Sequence, residues 1–176
     1  MRVFISLKLS DEAIFEIKKI QKELASSGFF SGKLTEEENL HLTMKFLGEV
    51  DENKISEVRK KLRSIKLKRF NVRLGEIGVF SESFIRIIWV CLLGAEELQR
   101  KIDMALEGLF KKEERFMSHL TIARIKKVSD KKKLFNSLEK IKIKEVEFEA
   151  TTFDLMESEL FQHGPRYRII EEFSLA

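Results

Sequence analysis

Apolar and polar positions alternate over residues 2–9, RVFISLKL, with the period of two that marks a half-buried strand. The period then lengthens. Ile14, Ile17, Ile20 and Leu24 recur at helical spacing, so residues 11–26 are predicted as a helix. Ser10 is placed to cap it, with Asp11 and Glu12 in the first turn. SSGFFSGKLT reads as a turn leading into a short strand. Residues 40–47 read as a strand and 51–65 as a helix opening at Asp51. RFNVRLGEIGVF and SFIRIIWVCLL read as strands joined near Ser81–Ser83. GAEELQRKIDMALEGLF is a third helix, 119–125 a strand, and 129–140 a fourth helix opening at Ser129. Two further strands, about 144–157 and 166–174, are joined by LFQHGPRY.

Composition changes this picture little. A chain of 176 residues with 43% apolar content suits one domain, or two small lobes sharing a core. No apolar run approaches the roughly 20 residues a membrane helix needs. The N-terminus reads as a strand and not as a signal peptide. The single cysteine, Cys91, lies in the apolar run IIWVCLLG and reads as a buried thiol, which suits a reducing cytoplasm. The net charge of +4 is compatible with an anionic ligand. Abundant Lys and Glu with scarce Gln, Asn and Cys is a bias of thermophile proteins.

The chemistry is concentrated in a repeat. Two of the three histidines sit in matching triplets, His41-Leu42-Thr43 and His119-Leu120-Thr121, 78 residues apart (119 − 41). In the sequence each triplet lies on a strand with a helix before it and a helix after. That suggests an internal duplication in which each lobe donates one His-x-Thr strand. Alternation puts His41 and Thr43 on one face and Leu42, Met44 and Phe46 on the other, and likewise for His119 and Thr121 against Leu120 and Ile122. The apolar stripes belong in a core, and the polar pairs are free to face a cleft. A zinc site is unsupported: no HxxxH, CxxC or acidic cluster accompanies the strands. A serine or cysteine nucleophile is unsupported too, because G-x-S-x-G is absent. Two facing imidazoles suit general acid–base chemistry near neutral pH, one taking a proton and the other giving one. Threonine hydroxyls between them suit the oxygens of a phosphate.

These motifs, HLTMKFLG and HLTIAR, resemble those of the two-histidine (2H) phosphoesterases, and among them the LigT-like RNA 2′,3′-cyclic phosphodiesterases, also called 2′-5′ RNA ligases. The resemblance runs over essentially the whole chain. It includes the first strand RVFISLKL, the middle segment GVFSESFIRIIWV with Gly78, Phe80, Arg86 and Trp89, and the C-terminal SELFQHGPRYRIIEEFSL. Prolines common in the family are replaced by Glu37 or Glu38, Ser118 and Ser81, all at loop positions. The resemblance implies an α+β, bilobal, pseudo-twofold fold over residues 1–176, with two antiparallel sheets lining a central cleft and two helices outside each. It implies metal-independent hydrolysis of an RNA 2′,3′-cyclic phosphate end to a 2′-phosphate, with no cofactor. His41 and His119 would be the acid–base pair, and Thr43, Thr121 and Arg124 would hold the phosphate. It leans toward His119 as the base and His41 as the acid. Phe46 and Tyr167 are candidate base contacts, with packing the competing reading for both. Strict alternation places Arg124 and Phe46 opposite the histidines, so their roles require a twisted or bulged strand end. His163, with no threonine partner, reads as an exposed loop residue.

Three functions remain open on these residues: the hydrolase, a ligase joining RNA ends such as tRNA halves, and an RNA-binding module without catalysis. A monomer is expected. Lys45, Lys126, Arg166 and Arg168 are expected to extend a basic path from Arg124 along the RNA.

Overall fold

The computed structural model describes residues 1–176. Four helices cover two antiparallel sheets. The first sheet has the order β3-β1-β8-β9, built from β1 (Arg2–Leu7), β3 (Leu42–Glu49), β8 (Thr152–Phe161) and β9 (Gly164–Ser174). The second has the order β2-β6-β5-β4-β7, from β2 (Phe30–Leu34), β4 (Phe70–Val79), β5 (Ile87–Leu93), β6 (His119–Val128) and β7 (Glu147–Ala150). One continuous apolar core runs behind both.

The helices start where their capping residues stand. Ser10 Oγ accepts from the Ala13 amide (3.1 Å) at the head of α1 (Asp11–Ser26). Asp51 accepts from Lys54 at the head of α2 (Glu52–Arg63). In α4 (Lys131–Lys140) the cap is Asp130 and not Ser129, because its carboxylate reaches the Lys133 amide at 3.0 Å. Helix α3 (Glu96–Ala105) is shorter than the predicted 94–110. A turn carrying Gly108 at φ 83° ends the helical path, a conformation cheap only for glycine.

Two expectations about organisation change. The stretch 144–157 is two strands: β7 pairs with β4 in the second sheet, and after Thr151 the chain crosses to pair β8 with β1 in the first. Its burial pattern slips phase there, with Ala150 buried and then Phe153 and Leu155. The helices are also exchanged between sheets. Helix α1 precedes β3 in sequence yet packs on β6 of the other sheet, where Gln21 donates to the Ile122 and Thr35 carbonyls, each at 2.9 Å. Helices α2 and α3 pack on the first sheet, against β9 and β3. No helix is long and apolar enough to cross a membrane. Cys91 is only partly buried.

Candidate active site

Strands β3 and β6 meet where the two sheets face each other. His41, Thr43, His119 and Thr121 all line one cleft of about 590 Å³. Each ring is oriented by the backbone two residues before it. His119 Nδ1 donates to the Met117 carbonyl at 2.6 Å, and His41 is held by the Asn39 carbonyl. With Nδ1 occupied, Nε2 is the reactive nitrogen of each. His41 Nε2 lies 3.1 Å from Thr43 Oγ1.

Both strands carry a bulge immediately after the threonine. Opposite β1, Thr43 pairs with Ser6 and Lys45 with Ile5, so Met44 is the extra residue. Opposite β5, Thr121 pairs with Trp89 and Ala123 with Ile88, so Ile122 is extra. An extra residue moves every later side chain to the other face. Met44 and Lys45 are therefore both buried, as are Ile122 and Ala123. Phe46 and Arg124, which strict alternation sets against the core, emerge into the cleft. Phe46 is 70% exposed.

Aromatic rings wall the two histidines. His41 stacks on Phe4 (centroids 5.0 Å, 27°) and meets Tyr167 edge-on at 5.1 Å. His119 meets Phe80 edge-on at 4.7 Å. The placement of Phe4 and Phe80 against the imidazoles was not legible in the sequence, since Phe4 reads as an ordinary strand residue. Burial pushes the His41 pKa down to about 4, against the pull of the Asn39 carbonyl, so this ring is neutral at pH 7 in the free protein. Burial raises the Tyr167 pKa, with Arg124 and Arg2 acting the other way and Glu36 with it.

The basic path differs from the expected one. Lys45 is 4% exposed and bound to Asp103, so it is withdrawn from any ligand. Arg168 is paired with Glu157, and Arg166 lies over the Phe161 ring. Lys126 is outside the cleft lining. The cations that do line it are Arg2, Lys33 and Arg124. Lys33 and Arg124 are cross-strand partners and share a face. Lys33 is occupied, binding Glu36 and donating to the His163 carbonyl at 2.6 Å, which ties the β8–β9 turn to β2 across the cleft. His163 is exposed as expected and stands at the cleft edge. No group of three His, Cys, Asp or Glu side chains is arranged to hold a metal ion.

The model of the family described as "LigT like Phosphoesterase" matches residues 7–89 and 94–167. An RNA 2′,3′-cyclic phosphodiesterase of Methanocaldococcus jannaschii is 39% identical, covering 98% of this chain and 100% of its own. One of Archaeoglobus fulgidus is 31% identical, covering 98% and 99%. The crystal structure of TT0787 of Thermus thermophilus superposes with a TM-score of 0.81 at 24% identity, covering 99% and 98%. With two His-x-Thr strands, a shared cleft and a family match over most of its length, the chain belongs to the LigT-like phosphoesterases.

Proposed function

We propose that the protein hydrolyses the 2′,3′-cyclic phosphate at an RNA end to a 2′-phosphate. The observation that carries this reading is the pairing of the motifs: His41 with Thr43 and His119 with Thr121, on two touching strands, in one cleft. In-line displacement at phosphorus wants a base and an acid on opposite sides of the atom. Water attacks phosphorus, the P–O3′ bond breaks, and O3′ leaves with a proton, so one imidazole must accept a proton and the other supply one. Thr43, Thr121 and Arg124 are assigned to the phosphate oxygens, where preorganised donors meet developing charge. Phe46 and Tyr167 are assigned to the base of the reacting nucleotide. No step calls for a metal or a cofactor.

We assign His119 as the base and His41 as the acid. The neutral state of His41 in the free protein is the opposite of what an acid needs. The assignment therefore requires the substrate to charge it. A phosphate anion beside Nε2 favours the imidazolium, and the Asn39 carbonyl already accepts the other N–H. Both His-x-Thr strands come from one chain, so a monomer is expected to suffice for the reaction. A partly buried free thiol at Cys91 suits a reducing compartment such as the cytoplasm. A tRNA half bearing a cyclic phosphate is one substrate of this chemical type.

The test is the product of a short RNA with a 2′,3′-cyclic phosphate end. A 2′-phosphate is expected. Joining to a 5′-hydroxyl strand in place of hydrolysis would make the protein a ligase, and binding without turnover would make it an RNA-binding module.

A further inference from the structure

We infer that the outer end of the cleft is a site for a second nucleotide, in which Arg2 binds the phosphodiester on the 5′ side of the reacting nucleotide and Leu160 carries its sugar or base. The inference rests on the function proposed above and deepens it, from a cyclic phosphate to the end of an RNA chain.

The cleft continues past the reacting groups. Its lining runs along β1 from Phe4, the ring beneath His41, to Arg2, and along β3 from Phe46 to Gly48. On β8 it takes in Ser158 and Leu160. Two strand residues span ~6.7 Å, which sets Arg2 away from the imidazoles and in line with the cleft.

Arg2 has no carboxylate partner, although carboxylates stand nearby. Glu49, its cross-strand neighbour, lies 3.6 Å from the N-terminal amine, and Glu157 is held by Arg168. Its charge nevertheless reaches the centre of the cleft, where it acts on the Tyr167 phenol alongside Arg124. Ser158 is the β8 partner of Arg2 and shares its face, so a hydroxyl donor stands beside the guanidinium. Leu160, one step further out on that face, is 74% exposed. Gly48 leaves the floor without a side chain: a Cβ there would meet nothing within 4 Å and would project into open space, and its φ of 75° is one that other residues rarely adopt.

A guanidinium, a hydroxyl and an apolar surface are the elements that bind a phosphodiester and the nucleotide attached to it without reading base edges. The site should therefore favour length over sequence. Arg124 would hold the reacting phosphate and Arg2 the next one, since both guanidinia line the same cleft.

The experiment compares kcat/KM for a 2′,3′-cyclic mononucleotide with that for a dinucleotide carrying the same cyclic end. The wild type is expected to favour the dinucleotide about tenfold or more, the usual worth of a charge-assisted contact to phosphate. Arg2→Gln should remove most of that preference, and Leu160→Ser part of it. Lys126→Gln, outside the cleft, should keep it. Raising salt should erode the dinucleotide rate more steeply, by a logarithmic slope of about 0.7 for the one added phosphate. Equal kcat/KM for the two substrates in the wild type, or equal losses on both in Arg2→Gln, overturns the second site and leaves the hydrolase intact. Turnover of neither substrate overturns the hydrolase and the second site together.

Discussion

Lys45 Nζ and Asp103 Oδ1 meet at 2.5 Å inside the protein, with side chains 4% and 3% exposed. The bulge after Thr43 turns Lys45 inward, and α3 supplies the aspartate. Lys45 also donates to the Lys111 carbonyl at 2.6 Å, while Gln99 and the Glu113 amide complete the carboxylate. The pair thus fastens the first motif strand to the segment that leads into the second, whose Met117 carbonyl orients His119.

Removing one partner strands a buried charge. Lys45→Met or Asp103→Leu alone should cost about 3–5 kcal/mol in urea unfolding. The double variant should recover most of that, because neither charge remains. A double variant no more stable than the singles would mean that the pair does not act as a unit.

His41→Ala and His119→Ala should each lower kcat by roughly 10²-fold or more. The double variant should lose far less than the product of the singles. His163→Ala should be near neutral, because it holds Lys33 through its backbone carbonyl. An inactive His163 variant beside an active His41 variant would overturn the site.

The pH dependence follows from His41. Its folded pKa of about 4 lies below the ordinary 6.5 because burial disfavours the charged ring. Between those values the unfolded chain binds more protons than the folded one, so stability falls as pH drops from about 6.5 to about 4. Unfolding free energies of the wild type and His41→Ala at pH 7, 5 and 4 should show their difference shifting in that window. A constant difference counts against a buried neutral ring.

If His41 is the acid, binding a nucleoside 2′,3′-cyclic phosphate at pH 7 to the inactive His119→Ala variant, in which no second imidazole can take the proton, should draw a proton from solution. Calorimetric titration in two buffers of different ionisation enthalpy measures it. No uptake would exchange the assigned roles of the two histidines.

Arg124→Ala should lower kcat/KM by about 10–100-fold, and Arg124→Lys should restore only part, since an ammonium cannot make the planar two-pronged contact. A full rescue by lysine would reduce Arg124 to a point charge. Activity should survive EDTA; loss restored by one divalent ion would mean that the chemistry is misassigned.

Much of this was legible in the chain. Local patterns located the helices, because caps such as Ser10 and Asp51 act within three residues of themselves. The two His-x-Thr strands were legible for a similar reason: a polar pair at a spacing of two needs only its own strand to share a face. What followed each threonine was not. Whether Phe46 and Arg124 face core or cleft depends on a bulge, and a bulge exists only against a partner strand, here β1 for one motif and β5 for the other. Lys45 looked like a surface cation because its carboxylate lies 58 residues away, on a helix that sequence order gives no reason to place there. The exchange of helices between sheets was hidden too, since an amphipathic helix records that it covers a core and not which one. Local physics therefore determined the elements and the reactive groups, and long-range pairing alone decided which neighbours those groups acquired.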